Sequence, residues 1–298
     1  MGKDLAGLYP VARHTFEEAD EALGFSISQL CFEGPEDRLK MTEITQPAIL
    51  TVSTAVCRVL QEKGVVPQYA AGHSLGEYSA HVAAGTTEFT DALRAVNKRG
   101  KYMQEAVPAG QGAMAAILGF PLDQLQAVCD EAAQGEVVSP ANINSPDQIV
   151  ISGAAKAVER AAELARQRGA KRAVMLPVSA PFHCALMKPA QDRLAQDLHG
   201  IRFEDADIPV VANYDVELKT SGEASRQALV QQVTAPVQWS RSIQKLIELG
   251  VNMFVEVGPG KVLTGLMRQI DRSQNAMNVG DEDSLQKLTN LFAAASKE

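Results

Sequence analysis

The sequence predicts an α/β fold, and three observations carry that prediction. An apolar run over 68–72 enters a Gly-rich turn and then a helix, the strand–turn–helix order of α/β architecture. Over 113–177 the apolar period alternates in the order β-α-β-β-α-β, the ferredoxin-like arrangement. Of 298 residues, 46% are hydrophobic and only 5% aromatic, with Ala and Val abundant, which suits helices packed on buried strands. The expected architecture is a hydrolase-like parallel-sheet domain over 1–109 and 177–298, interrupted by a ferredoxin-like α+β subdomain over 110–176.

Each element has a local reason. Residues 4–23 show helical spacing and stop at Gly24. A second helix over 45–63 closes at Gly64, with Pro47 tolerated if it falls in the first turn. Helices over 75–84 and 91–106 follow the Gly-rich turn. The middle segment reads as strand 113–118, helix 122–133, strands 137–142 and 148–152 around Asn144-Ser145-Pro146-Asp147, helix 154–168 ending at Gly169, and strand 172–177. Beyond it come a helix over 184–198, a strand over 208–212, and helices over 224–233 and 240–249. A strand over 252–257, a helix over 262–270, a short strand over 276–279 and a helix over 283–295 complete the chain.

Composition and charge narrow the function. The 28 basic and 36 acidic residues leave a formal charge of −8, a poor prior for a nucleic-acid binder. No run of about 18 apolar residues suits a membrane span, and the N-terminus lacks the apolar core of a signal peptide. Cys31, Cys57, Cys129 and Cys184 are scattered singly, so neither a zinc site nor a redox dithiol is expected. The expectation is a cytoplasmic protein with reduced thiols.

Gly72-His73-Ser74-Leu75-Gly76 fits the G-x-S-x-G nucleophile elbow. The flanking glycines allow a tight turn that lifts Ser74 to a helix N-terminus. There the backbone N–H groups and the helix dipole favour an oxyanion. The bare pattern is weak; the strand before it and the helix after it give it weight. Ser74 needs a base among five histidines. His14 suits a surface helix face, His73 diverges from its neighbour on a sharp turn, His81 points outward along the following helix, and His199 suits a helix C-terminus. His183 follows a strand end and precedes a helix, where catalytic side chains concentrate; the plain alternative is a histidine capping that helix. Arg99, in Asn97-Lys98-Arg99-Gly100-Lys101, is either part of a solvated basic face or a clamp for a substrate carboxylate. Gly258-Pro259-Gly260-Lys261 is no phosphate loop, since Val255 and Val262 stand where that motif needs Gly and Ser or Thr.

Together these segments resemble the malonyl-CoA:acyl-carrier-protein transacylase family. The similarity rests on 72–80, on Arg99-Gly100-Lys101-Tyr102-Met103-Gln104, on Pro181-Phe182-His183-Cys184-Ala185-Leu186-Met187, on Gln232 with Pro236-Val237-Gln238-Trp239, and on Glu256-Val257-Gly258-Pro259-Gly260. The resemblance implies Ser74 as acylated nucleophile, His183 as base, Leu75 as an oxyanion donor and Arg99 as holder of the malonyl carboxylate. It implies Gln46 close to the pocket, Phe182 narrowing it beside the malonyl C2, and the Gln232 region with Asn213 orienting the histidine. The implied substrate is malonyl-CoA and the implied acceptor is the phosphopantetheine thiol of acyl carrier protein, with no metal and no bound cofactor. An acidic carrier meeting an acidic enzyme needs local cations, for which Lys171, Arg172, Lys188 and Arg241 are candidates.

In one respect the resemblance fails. The family opens with a strand and a Gly-Gln-Gly-Ser-Gln loop that supplies a second oxyanion donor, whereas Met1-Gly2-Lys3-Asp4-Leu5 matches the family just after that loop. The expectation is that the natural start lies upstream, or that this form is weakly active. Three rival readings stay open: a serine esterase or thioesterase, whose histidine would come later in the chain; a patatin-like lipase, which would need an Asp-Gly pair the sequence lacks; and an inactive relative that only binds a carrier.

Overall fold

A computed structural model describes residues 1–178 and 180–295. The chain opens with α1 (Lys3–Leu8), α2 (Pro10–Leu23), α3 (Ile27–Glu33) and α4 (Glu36–Leu39). The single helix expected over 4–23 is two, parted at Tyr9, whose backbone is extended (φ −116°, ψ 118°). Pro10 causes the break: its ring disfavours helical backbone at the residue before it, and its missing N–H is harmless as the first residue of α2. α3 and α4, of seven and four residues, are too short to show a period in sequence.

α5 (Thr42–Glu62) runs through the main core, with Leu50, Val52, Val56 and Val59 fully buried. It starts before the expected Thr45, so Pro47 lies inside the helix. Proline cannot donate to the carbonyl four residues back; here Asn97 Nδ2 donates to that Glu43 oxygen at 2.8 Å. Asn97 belongs to α7 (Phe89–Glu105), which crosses α5 closely at Gly100. A Cβ on Gly100 would sit 2.6 Å from the Thr42 carbonyl oxygen and 2.7 Å from the Glu43 Cα. Gly100→Ala is therefore expected to destabilise the fold by about 1–3 kcal/mol through forced separation of the helices. The check is the denaturation midpoint; an unchanged midpoint would show that the helices part freely.

Between these helices lie β1 (Ala70–Ala71), the elbow, and α6 (Leu75–Ala83). The middle segment follows as β2 (Gly112–Leu118), α8 (Leu122–Ala133), β3 (Val138–Ser145), β4 (Gln148–Ala154), α9 (Ala155–Gln167) and β5 (Arg172–Met175). Its strands are all antiparallel, in the spatial order β3-β4-β2-β5. The two helices cover this sheet over a core of their own, including Ile117, Leu125, Val128, Ile151, Val158 and Ala162. One parallel bridge, Asn142 with Val237, ties it to the rest: Ile143 N–H donates to the Val237 carbonyl and Val237 N–H to the Ala141 carbonyl, both at 2.8 Å.

The chain then forms a 3₁₀ turn (Ala185–Met187), α10 (Lys188–His199), β6 (Val210–Val211), β7 (Leu218–Lys219), α11 (Gly222–Gln232) and α12 (Trp239–Glu248). It ends with β8 (Met253–Val257), α13 (Val262–Ile270), β9 (Asn275–Val279) and α14 (Glu282–Ala295). The helix expected over 184–198 begins later, because Cys184 is extended (φ −139°, ψ 174°) and Pro189 suits the restart at α10. β1 pairs with β6 and β8 with β9 in parallel, while β7 adds an antiparallel strand to β6. Among the described residues the parallel sheet thus stands in two pieces, β1-β6-β7 and β8-β9. Both pieces rest on one apolar cluster, since Ala71 and Phe254 pack against Val211, Trp239, Ile243 and Leu266. No helix among the described residues is long and apolar enough to cross a membrane.

His81 contradicts its expected outward direction. It is fully buried on α6, with Nδ1 3.3 Å from Thr86 Oγ1. Burial pushes its pKa down to about 3. An unfolded histidine, near 6.5, then takes up a proton that the folded one refuses. The stability His81 contributes is held above about pH 6.5 and lost as pH falls below it, by roughly 2 kcal/mol between pH 7 and pH 5. His73 and His183, also pushed down by burial, act in the same direction, and Glu77, pushed up, opposes them. His81→Gln is expected to make the acid slope of the unfolding free energy shallower by that amount; equal slopes would contradict the buried neutral state.

Candidate active site

The site starts at the end of β1. A Cβ on Gly72 would fall 1.9 Å from the Gly76 carbonyl, so no side chain fits there. The same does not hold for Gly76, whose added Cβ would meet nothing within 4 Å; only the first glycine of the elbow is sterically required. Ser74 adopts φ 51°, ψ −107°, a strained conformation that surrounding structure must hold at a cost of about 1–3 kcal/mol. Asn213 holds it. Its Oδ1 accepts from the Ser74 N–H and its Nδ2 donates to the Gly72 carbonyl, both at 2.7 Å. Asn213 was expected near the histidine; it clamps the elbow instead. The Leu75 N–H opens α6, where first-turn N–H groups lack helical acceptors.

His183 sits in the loop after β5 in a left-handed conformation (φ 59°). Its Nε2 lies 2.7 Å from Ser74 Oγ and its Nδ1 2.9 Å from the Gln232 carbonyl oxygen. A carbonyl only accepts, so Nδ1 carries the proton and Nε2 turns its lone pair on the serine. Burial first, and then the Arg99 charge, push the His183 pKa down to about 3, so the ring is neutral near pH 7. Among the described residues no carboxylate bonds this ring; a backbone carbonyl orients it.

Arg99 is not part of a solvated face. It is 2% exposed, whereas Lys98 and Lys101 stay at the surface, paired with Asp197 and Glu105. Arg99 Nη1 donates to Gln46 Oε1 at 2.7 Å; Nη2 donates to Gln232 Oε1 at 2.8 Å and to Ser74 Oγ at 3.1 Å. The guanidinium lies over the Tyr78 ring, 5.7 Å from its centroid. Phe182, half-buried, packs towards Met114, Ala141 and Val150 just before His183. Ser74, His183, Arg99, Gln46, Gln232 and Asn213 are thus in one bonded network.

Among the described residues no other histidine side chain bonds Ser74. His73 Nε2 pairs with Asn144 Oδ1 at 2.8 Å, fastening the elbow to β3. His14 is exposed beside Glu17, and His199, at the end of α10, meets Arg226 Nη1 at 2.8 Å. The turn at 258–261 joins β8 to α13, and the Glu256 carboxylate already takes the Leu263 and Thr264 N–H groups at 3.0 and 2.7 Å, where an anion would otherwise sit. Of the candidate docking cations, Lys188 pairs with Asp192 and Arg241 donates to Gln238, while Lys171 and Arg172 are exposed before and at the start of β5. Among the described residues no cluster of three His, Cys, Asp or Glu could hold a metal.

Sequence reasoning missed Glu77. It is fully buried, and its Oε2 accepts from Gln232 Nε2 at 2.8 Å and from the Asn213 N–H at 3.0 Å. Burial raises its pKa to about 7, against the lowering effect of those two bonds and of Arg99. The available signal was an acidic residue three positions after the serine, in the first turn of a helix otherwise rich in small and apolar residues.

The family model described as acyl transferase domain matches residues 1–289. The malonyl CoA-acyl carrier protein transacylase of Escherichia coli K12 is 53% identical over 271 residues, 91% of this chain and 88% of that protein. Its Bacillus subtilis counterpart is 48% identical over 287 residues, 96% of this chain and 90% of that protein. A solved malonyl-transacylase in complex with its type II polyketide acyl-carrier protein superposes with a TM-score of 0.95 at 49% identity, covering 97% of this chain and 94% of that one. The chain belongs to the malonyl-CoA:acyl-carrier-protein transacylase family of acyl transferase domains.

Proposed function

We propose that the protein moves a malonyl group from malonyl-CoA to the phosphopantetheine thiol of acyl carrier protein, through an ester on Ser74, in supply of fatty-acid synthesis. One observation carries this reading: Ser74 Oγ stands 2.7 Å from the base nitrogen of His183 and 3.1 Å from Arg99 Nη2. A nucleophile beside a fixed buried cation suits an acyl chain that ends in a carboxylate.

The steps follow from the atoms. His183 Nε2 takes the Oγ proton as Oγ attacks the thioester carbonyl, and the Leu75 N–H faces the developing oxyanion. The C–S bond breaks, and the leaving CoA sulfur takes the proton from Nε2. The carrier thiol then gives its proton to Nε2 and attacks the ester carbonyl; the bond from that carbon to Oγ breaks, and Oγ takes the proton back from Nε2. Arg99 binds the malonyl carboxylate throughout, Gln46 and Gln232 aim Arg99, and Phe182 walls the pocket beside His183. This chemistry needs neither a metal nor a bound cofactor.

We also read 110–176 as an inserted subdomain, on the ground of its separate core, with 1–109 and 177–298 forming the larger acyltransferase domain. We place the protein in the cytoplasm, where its unpaired cysteines remain thiols. Initial rates measured against both substrates test the transfer. Parallel double-reciprocal lines are expected of a ping-pong exchange; intersecting lines, or release of free malonate in place of malonyl-carrier, would contradict it.

A further inference from the structure

Arg99 is a buried cation that makes no ion pair among the described residues; its partners are the neutral amide oxygens of Gln46 and Gln232 and the Ser74 hydroxyl. A carboxylate bonded directly to it would occupy the donors a substrate needs. Instead the buried carboxylate of Glu77 stands one residue removed, joined to Arg99 through Gln232.

The Gln232 amide has a donor end and an acceptor end. Its Nε2 faces Glu77 Oε2 at 2.8 Å and the Ser74 carbonyl at 2.9 Å, and its Oε1 faces Arg99 at 2.8 Å. Both groups at the donor end only accept, so they fix which end of the amide meets the arginine. A flipped amide would set N–H donors against the guanidinium. Among the described residues Glu77 Oε1 has no hydrogen-bond partner, so a proton taken up there leaves Oε2 an acceptor and the arrangement unchanged. Glu77 Oε2 also accepts from the backbone N–H of Asn213, the residue that clamps the elbow.

We propose that Glu77 is a positioning residue for acyl-chain selection: through Gln232 it aims Arg99 at the terminal carboxylate of the acyl group on Ser74. This rests on the malonyl-transfer reading, and malonylation of the wild-type protein by malonyl-CoA tests that reading separately. With wild-type malonylation established, the ratio of kcat/KM for malonyl-CoA to that for acetyl-CoA is measured for three variants. Glu77→Met, which keeps length and removes the acceptor, is expected to lower the ratio about tenfold. Glu77→Gln, which retains one carbonyl oxygen for Gln232 and Asn213, is expected to stay within about threefold of wild type. A merely structural role would lower both substrates alike, so an unchanged ratio in Glu77→Met overturns the proposal, as does an equal loss of ratio in Glu77→Gln. If Glu77→Met does not fold, Glu77→Asp decides. It keeps the charge but withdraws it by one bond; a similar fall supports the positioning role and an unchanged ratio overturns it.

Discussion

Ser74→Ala is expected to lower malonyl transfer by roughly 10⁴-fold or more, the scale on which removing a covalent nucleophile acts. Ser74 Oγ is bracketed by its proton acceptor, His183 Nε2 at 2.7 Å, and by Arg99 Nη2 at 3.1 Å. The elbow itself does not rest on the hydroxyl: Asn213 bonds the Gly72 carbonyl and the Ser74 N–H, and Gln232 Nε2 donates to the Ser74 carbonyl. The variant should therefore fold normally while forming no acyl ester, and turnover by a folded Ser74→Ala protein would place the nucleophile elsewhere. His183→Ala is expected to act at the same step, because it removes the lone pair that takes the Oγ proton while leaving the Gln232 carbonyl merely unbonded.

Arg99→Ala is expected to collapse selectivity before it collapses chemistry. Charge-assisted bonds to a buried carboxylate are worth roughly 1.5–3 kcal/mol, so the malonyl-to-acetyl ratio of kcat/KM should fall by about 10- to 100-fold. Part of the loss is collateral, because Gln46 and Gln232 each lose a donor in a dry site. Arg99→Lys should restore little: one ammonium cannot span both glutamines and still present two parallel donors to a substrate. A ratio unchanged in Arg99→Ala would remove Arg99 from substrate recognition.

Much of this was legible in the chain, for physical reasons. The order of the middle segment shows because its strands bury one face and its helices bury Ala-rich stripes such as Ala157, Val158, Ala161 and Ala165. Gly72 shows because a side chain there would collide with the Gly76 carbonyl. What escaped was set by contacts distant in sequence. Pro47 sits mid-helix because Asn97, fifty residues on, takes over the bond it cannot make. Asn213 bonds the elbow rather than the histidine because β6 runs parallel to β1 and delivers it to Gly72 and Ser74. His81 is buried because α6 packs against α5, α7, β1 and β6, which seven residues of spacing from Ser74 cannot reveal. Glu77 carried no signal beyond its position, since its worth lies in Gln232, at the end of another helix.

The central claim is a malonyl–Ser74 ester that a carrier thiol discharges. The most direct test is intact-protein and peptide mass spectrometry after mixing the protein with malonyl-CoA, before and after adding acyl carrier protein bearing phosphopantetheine. The account predicts one malonyl adduct, on the peptide containing Ser74, that moves to the carrier on its addition and persists without it. No adduct, an adduct on another residue, or loss of the adduct to water at the same rate with and without carrier would contradict it.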